Sequence, residues 1–237
     1  MSRLRRTALF FSLLLNLLLA ASIAFMLHRL GGWRYALHKF RSDETGLYAH
    51  RKQLFGMLPE KKRSIVFIGD SQIEQAEWRE LCGDTLPILN RGITGDHVDG
   101  VQARLPEILR HQPSKIFLCV GVNDLILGKP PIEIEGRYRQ IVEQIRREVP
   151  DAQLFVQSVL PLNNDVKRIG IENEPIRDLN RRLAQIAQAY AVPFVDIHAQ
   201  LTDAQGNLAA KFTDDGLHLN GQGYMVWKKN LEPFLKF

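Results

Sequence analysis

Cysteine is scarce in this chain of 237 residues, whose only two cysteines are Cys82 and Cys119. Two cysteines do not make a disulfide framework, and no cysteine or histidine spacing here matches a structural zinc site. The sequence leaves open whether the two are bonded to each other. Cys119 lies inside an apolar run, where a thiol acts as a small buried hydrophobe. Disulfide-dense and zinc-stabilised folds are therefore excluded.

Acidic residues are nearly absent from the first part of the chain. Residues 1–63 hold 12 Lys and Arg against 3 Asp and Glu, a net charge of +9. The remainder holds 19 basic and 23 acidic residues, a net charge of −4. The formal charge of +5 thus belongs to the N-terminal segment, and a mildly acidic remainder argues against a nucleic-acid partner. A phosphate loop of the Gly-x-x-x-x-Gly-Lys kind is also missing.

A nearly unbroken apolar run covers residues 7–27, with Asn16 as its only strongly polar interruption. About 20 apolar residues suffice for a helix to cross a hydrocarbon core of about 30 Å. We therefore predict a transmembrane anchor over residues 1–28. A cleaved signal segment, with a site at Ser22-Ile23-Ala24, is the alternative. A short basic N-terminus ahead of a first span usually stays inside, which favours an extracytoplasmic domain.

Residues 29–61 are predicted to form a basic connector between this anchor and the remaining domain, residues 62–237. Aromatic side chains alternate there with Arg and Lys, a pattern suited to lipid headgroups. A partly helical connector that packs on the domain fits the same pattern.

Strands alternate with helices along residues 62–237. The apolar run 65–68 predicts a strand buried on both faces, and we expect further strands at 88–92, 115–120, 153–160 and 193–197. Helices are expected at 72–81, 96–111, 132–149, 175–190 and 221–235. This alternation predicts βαβ units and an α/β fold with a parallel sheet.

Ser71 follows the first strand directly, at the edge where open α/β sheets bind ligands. A serine hydroxyl is a poor nucleophile unless a base lies within hydrogen-bond reach. His218 is the best candidate for that base, and Asp215 is placed to hold its other ring nitrogen. His97, after a glycine-rich turn, is the only serious rival. Taken singly, each of these residues is better explained as a turn former, a helix cap or a surface side chain.

An acyl-transfer site also needs donors aimed at the developing oxyanion. We expect three of them: the Ser71 amide, the Gly92 amide and the Asn123 side chain. A glycine at position 92 would let the backbone approach a ligand closely. This chemistry requires no metal or cofactor.

The combination of these turns resembles the four ordered blocks of the SGNH (GDSL-like) hydrolases over residues 62–237. The blocks are Gly69-Asp70-Ser71, Gly92, Gly121-Val122-Asn123-Asp124 and Asp215-Gly216-Leu217-His218. The resemblance implies that Ser71 is the nucleophile, His218 the base and Asp215 its partner, and that Gly92 and Asn123 complete the oxyanion hole. It also implies a flavodoxin-like three-layer α/β/α sandwich with about five parallel strands.

Segments 158–163 and 212–220, together with Asn180, resemble the branch of platelet-activating-factor acetylhydrolase catalytic subunits and sugar O-acetylesterases. Gln72 departs from the Leu of the older family signature. The resemblance implies an esterase for a small ester, with a short acyl or acetyl group favoured and a lipid or acylated sugar as substrate, and the anchor predicted from the apolar run would attach it to a membrane. The alternatives are a lysophospholipase or thioesterase, an acyltransferase on a surface glycan, and a non-catalytic membrane-anchored binding module.

Overall fold

A computed structural model describes residues 3–29, 46–83 and 85–235. The chain divides into two compact units, Met1–Ala49 and His50–Phe237. The second unit begins earlier in the chain than the predicted start of the domain at residue 62. Residues 30–45, which hold most of the aromatic and basic side chains of the predicted connector, lie outside the described residues, whereas Tyr48, Arg51 and Lys52 lie on a described helix.

Helix α1, Arg3–Arg29, is the main element of the first unit. Its large apolar side chains between Leu9 and Phe25 are exposed. The polar groups of Asn16 and Ser22 are satisfied within the helix, because each donates to a backbone carbonyl one turn earlier at 2.9 Å. Among the residues that are described, no helix is long and apolar enough to cross a membrane. The transmembrane anchor predicted over residues 1–28 is therefore not supported.

Five parallel strands form one sheet in the order β2-β1-β3-β4-β5. The strands are β1 Ile65–Gly69, β2 Ile88–Gly92, β3 Lys115–Cys119, β4 Gln153–Gln157 and β5 Phe194–Val195. This order is that of doubly wound flavodoxin-like sheets, in which the switch point next to the first strand opens a crevice at the carboxyl edge. The predicted α/β fold with about five parallel strands is confirmed.

The helices connect these strands. Beyond α1 they are α2 Gly46–Met57, α3 Ser71–Glu74, α4 Trp78–Cys82, α5 Val98–Leu109, α6 Val122–Ile126, α7 Pro131–Glu148, α8 Asn173–Ala189, α9 His198–Leu201 and α10 Gly221–Leu235. A 3₁₀ turn covers Ala210–Phe212. Cys82 and Cys119 are free thiols, which answers the question that the sequence left open.

Successive residues of each strand enter two different cores, because side chains alternate across a sheet. Val66 and Ile68 pack into an aliphatic core under α5, α7 and α8. Phe67 lies in an aromatic core on the opposite face, where it stacks on Phe117 at 4.9 Å and on Trp78 at 4.2 Å between ring centroids. Both faces of the sheet are thus covered, so its carboxyl edge is where the strand-end turns meet.

The prediction of a single helix over 72–81 is wrong, because the chain forms two shorter helices there, α3 and α4. The Asn90 side-chain amide binds the carbonyl oxygens of Ile73, Glu74 and Ala76, each at 3.0 Å. The Trp78 indole donates to the Ile73 carbonyl at 2.9 Å. These carbonyls are satisfied by side chains rather than by a further helical turn, so the helix stops.

Candidate active site

Ser71 lies at the carboxyl end of β1, an interior strand of the sheet, and begins α3. The preceding Asp70 accepts a hydrogen bond from the Gln72 amide at 3.0 Å, as helix N-caps do. A Cβ on Gly69 would lie 2.1 Å from the Cys119 carbonyl oxygen, so only glycine lets β1 and β3 approach each other here. These contacts fix the turn that carries Ser71. The residue is 5% exposed.

Asp215 and His218 occupy a tight turn before α10. Asp215 Oδ1 accepts hydrogen bonds from the Leu217 and His218 amides at 2.9 and 2.8 Å. Gly216 makes this turn possible, because its φ of +81° belongs to the left-handed region and a Cβ would lie 2.4 Å from the Asn163 carbonyl oxygen. The backbone thus holds the Asp215 carboxylate beside the His218 ring.

The Ser71, His218 and Asp215 side chains form one hydrogen-bonded series. His218 Nδ1 lies 2.7 Å from Asp215 Oδ2, and His218 Nε2 lies 2.9 Å from Ser71 Oγ. An ionised carboxylate can only accept, so the neutral imidazole carries its proton on Nδ1 and turns the Nε2 lone pair toward the serine. The structure therefore brings these three predicted residues together.

The Asp215 carboxylate is ionised over the whole physiological pH range. Partial burial opposes ionisation, but hydrogen bonds from the His218 ring and from the His218 and Leu217 amides outweigh it. Together they lower the pKa of Asp215 to about 2. A fixed negative charge at this position stabilises an imidazolium on His218.

Gln72 joins the two halves of this series, although the sequence marked it only as a departure from a family signature. Its side-chain amide donates to the Leu217 carbonyl at 3.0 Å, and its own carbonyl accepts the Tyr224 hydroxyl at 2.9 Å. The first contact connects the serine turn to the histidine turn, and the second connects it to α10. Sequence spacing gives no signal for such contacts, since they join residues about 150 positions apart.

Asn123 and Gly92 differ in how far they are available to a ligand. The Asn123 amide donates one hydrogen bond, to the Asp96 carbonyl at 2.8 Å, and an amide group has a second N–H. The Gly92 N–H already donates to Asn90 Oδ1 at 2.9 Å. A Cβ on Gly92 would lie 2.2 Å from the Glu74 backbone nitrogen, so close packing also explains this glycine. The predicted oxyanion role of Gly92 thus stays a prediction.

Gly95 is the glycine of this loop that sequence reasoning missed. It lies in a turn closed by the Asp96 amide and the Ile93 carbonyl at 3.0 Å, and its φ is +79°. A positive φ at the third position is typical of a type II turn. Among the described residues, the Gly95 N–H donates no hydrogen bond to another protein atom. The Asn123 bond to the Asp96 carbonyl places this turn beside Asn123.

Three aspartates, Asp70, Asp96 and Asp124, lie buried beneath these loops, each only 1% exposed. Arg104 donates to Asp96 at 2.7 Å and to the Gly69 carbonyl at 3.1 Å, so it links two strand-end turns. Burial, and after it repulsion from the other two carboxylates, raises the pKa of Asp70 to about 7. The floor of the site therefore holds a carboxyl group that titrates near neutrality.

His97, the rival base, belongs to a different cluster. Its Nδ1 accepts the Gly100 amide at 3.1 Å and caps α5. His97, Asp99 and Asp124 have ligand atoms within 4.8 Å of one another, a spacing that would suit a metal ion. The Lys129 ammonium lies between the two carboxylates, however, at 2.8 and 3.0 Å. A lysine thus already supplies the positive charge there.

A hydroxyl, an imidazole and a carboxylate in series at a strand end is the arrangement that acyl-transfer enzymes use on several unrelated folds. Comparison with known families makes the class definite. The model of the GDSL-like Lipase/Acylhydrolase family matches residues 64–226, and the chain belongs to this family. It is an enzyme that hydrolyses carboxylic esters.

Individual proteins of known description are similar to this chain. The platelet-activating factor acetylhydrolase IB subunit alpha1 of Rattus norvegicus is 27% identical, over 82% of this chain and 78% of its own length. Thioesterase 1/protease 1/lysophospholipase L1 of Escherichia coli is 27% identical, over 73% of this chain and 79% of its own. A solved structure from Streptococcus pneumoniae, provisionally described as a platelet activating factor, has a TM-score of 0.72 and 31% identity, covering 79% of this chain and 90% of that one.

Proposed function

We propose that this protein is a serine esterase that removes short acyl groups, acetyl above all, from small ester substrates. The observation that carries the proposal is the unbroken series from Ser71 Oγ to His218 at 2.9 Å and from His218 to Asp215 at 2.7 Å. A serine becomes a useful nucleophile only when such a base takes its proton.

In this mechanism Ser71 Oγ attacks the ester carbonyl while its proton moves to His218 Nε2. Asp215, ionised at all working pH values, stabilises the imidazolium that forms. The tetrahedral intermediate collapses when His218 gives its proton to the leaving alcohol, which leaves an acyl group on Ser71. A water molecule, deprotonated by His218, then attacks this acyl-enzyme and releases the free acid by the reverse path.

We assign the oxyanion donors to the Ser71 amide, the second Asn123 N–H and the Gly95 amide. Gly95 takes the place predicted for Gly92, because the Gly92 N–H is engaged by Asn90 and the Gly95 N–H lies in the adjoining turn beside Asn123. Donors fixed before the reaction stabilise the developing charge without the cost of reorientation.

A comparison supports a small acyl group. A relative 27% identical over most of its length is described as an acetylhydrolase. A second relative, also 27% identical, is described as a thioesterase and lysophospholipase, so longer acyl chains are the second candidate. Initial rates on p-nitrophenyl esters from acetyl to palmitoyl should peak at acetyl, and a peak at long chains would favour the second candidate.

The decisive test of the mechanism is Ser71→Ala with a fluorophosphonate probe that labels activated serines. The unaltered protein should be labelled and should hydrolyse p-nitrophenyl acetate, whereas Ser71→Ala should do neither. Ser114→Ala is the matched control, because Ser114 Oγ bonds the Arg63 carbonyl at the opposite edge of the sheet. Hydrolysis that persists in folded Ser71→Ala would refute the mechanism.

We also propose that α1 attaches the enzyme to a membrane and that the hydrolase domain lies on the extracytoplasmic side. The support is the set of exposed Leu and Phe side chains on α1, which would gain by leaving water. Leu14→Arg together with Leu18→Arg should move the protein from the membrane pellet to the supernatant after carbonate washing. A membrane-impermeant amine reagent should label the domain in intact cells if the orientation is right.

A further inference from the structure

We propose that Arg51 is a positioning residue for the esterase reaction, because it braces the loop that carries the Gly95 amide. This inference rests on the proposed function and deepens it. Arg51 belongs to α2, in the stretch that the sequence suggested was only a connector. It contacts neither the Ser71 hydroxyl nor the His218 ring, so any effect on the reaction has to pass through the loop 92–96 and through Glu74.

Arg51 contacts the start of this loop directly. Its Nε donates to the Gly92 carbonyl oxygen at 2.7 Å and lies 3.1 Å from Glu74 Oε1. The other carboxylate oxygen of Glu74 accepts a hydrogen bond from the Thr94 amide. Arg51 and Glu74 together therefore hold two successive points of the loop, just before the turn at Gly95.

Glu74 also ties this loop to the nucleophile, because it is the last residue of α3, the short helix that Ser71 begins. The two parts that the oxyanion hole has to align, the Ser71 amide and the Gly95 amide, are thus joined through one carboxylate. Arg51 neutralises that carboxylate and restricts its position. Its side chain is 29% exposed and that of Glu74 is 23% exposed, so water competes for this pair only in part.

Phe55 lies one helical turn after Arg51 on α2, and its ring contacts the Arg51 guanidinium. The guanidinium carbon of Arg51 lies 5.0 Å from the centroid of the Phe55 ring, and that of Arg91 lies 4.5 Å from it. Phe55 is only 5% exposed. A planar guanidinium stacks on an aromatic face while its N–H groups bond elsewhere, which a lysine ammonium does not do.

Arg110 fixes the end of α2. Its Nη2 donates to the Phe55 carbonyl at 2.9 Å and to the Leu58 carbonyl at 2.7 Å. Carbonyls at a helix C-terminus lack partners within the helix, so this cation satisfies them and attaches the helix end to the residue after α5. The part of α2 that carries Arg51 is therefore held by stacking at Phe55 and by hydrogen bonds at its end.

Arg51 is expected to affect the stabilisation of the transition state rather than the binding of the substrate. Oxyanion donors act on charge that develops during the reaction, and a small misplacement of such groups costs much more in rate than in substrate binding. Loss of Arg51 should therefore lower kcat and leave KM nearly unchanged. A substitution that only weakened the fold would instead lower the unfolding temperature, and kcat would fall only as far as the folded fraction fell.

The test compares Arg51→Met with Lys52→Met, since Lys52 is the next cation along α2 and is exposed. We expect Arg51→Met to lower kcat for p-nitrophenyl acetate by about 10- to 100-fold, the size found for small misplacements of reacting groups. KM should change by less than about twofold, as expected for lost transition-state interactions. Arg51→Lys should recover only part of the rate, and Lys52→Met should match the unaltered protein.

Glu74→Gln provides the second measurement if Arg51→Met unfolds. A glutamine keeps a carbonyl acceptor for the Thr94 amide but loses the ion pair, so kcat should fall while the protein stays folded. The double variant should lose little more than Arg51→Met alone. Full activity in both single variants would overturn the proposal, as would a rise in KM with unchanged kcat. Failure of the proposed function is separate, since it would appear as activity in Ser71→Ala.

Discussion

The two sides of Ser71 are built in different ways. On the base side, Asp215 and His218 are three residues apart and share one turn, whose own amides hold the carboxylate at 2.8 and 2.9 Å. On the oxyanion side, the loop 92–96 is held by Asn90, by Glu74 and by Arg51 from a helix far earlier in the chain. A local turn can thus supply the base, whereas the oxyanion hole depends on tertiary contacts.

This difference has a consequence for how each side tolerates change. On the base side the Asp215 carboxylate is held mainly by amides of its own turn, so a substitution of Asp215 alters the chemistry more than the fold. The oxyanion side has many tertiary contacts. A substitution among them therefore shifts the loop 92–96 slightly and lowers the rate by a moderate factor. Three substitutions test this contrast. Asp215→Asn lies on the base side, Asn123→Ala on the oxyanion side, and Asp70→Asn beneath both.

Asp215→Asn should have the largest effect, because it acts on the base side alone. An asparagine can offer its N–H₂ to Nδ1, which favours the wrong histidine tautomer, and kcat should fall by about 10⁴-fold as in other triads. The measurement is kcat on p-nitrophenyl acetate, with thermal unfolding as a check on the fold. Asp214→Asn, at the exposed neighbouring residue, is the control. A loss confined to KM would contradict the assigned role.

The pH dependence of the same pair follows from the low pKa of Asp215. A carboxyl whose folded pKa is about 2, below its unfolded value, adds stability above the unfolded pKa and loses it as the pH falls through about 4 to 2. The acid limb of the rate profile at higher pH therefore does not arise from Asp215. Asp215→Asn should leave thermal stability nearly unchanged at pH 2 and lower it at pH 6.

Asn123→Ala should have a smaller effect, since it removes one of three donors on the oxyanion side. We expect kcat to fall by about 10²- to 10³-fold, which is the usual cost of one oxyanion donor, with KM nearly constant. Asn220→Ala is the matched control, because that amide bonds the Lys211 carbonyl near the histidine turn. An equal loss in both variants would show that the effect is a general loosening of the loops.

The sequence predicts the base side and the sheet well, for physical reasons that particular residues illustrate. The run 65–68 is short, apolar on both faces and rich in β-branched residues, which favours a buried strand, and its end places Ser71 at the carboxyl edge. Asp215 and His218 are close in sequence, so their pairing needs only a turn. The helices at 98–109, 131–148, 173–189 and 221–235 follow the apolar periodicity to within about two residues at most ends.

The oxyanion side could not be predicted in the same way. Asn90 looks like an ordinary turn former, yet its side chain ends α3 and occupies the Gly92 amide. Gly92 and Gly95 are both glycines of one loop, and only the backbone angle and the hydrogen bonds tell them apart. Arg51 stands among many basic residues of the N-terminal segment, and nothing in its spacing indicates a contact with Gly92.

Asp70→Asn should have the smallest effect, because the Asp70 side chain is hydrogen-bonded to the Gln72 amide and not to the base or to an assigned oxyanion donor. Its folded pKa of about 7 lies above the unfolded value, so the folded state holds an extra proton between about pH 4 and 7. Stability therefore falls as the pH rises through this window. Asparagine cannot ionise, and its Oδ1 still accepts the Gln72 amide.

We expect Asp70→Asn to raise the unfolding temperature at pH 8 by about 2–4 °C, or roughly 1 kcal/mol for a chain of this size. Near pH 4 the difference should vanish, since Asp70 is then protonated in the folded protein. Asp151→Asn, at an exposed aspartate in the turn before β4, should leave both temperatures unchanged. An unfolding temperature that falls at pH 8 would mean that the buried carboxylate is stabilised as the anion, with Arg104 as the cation in reach of the same turn.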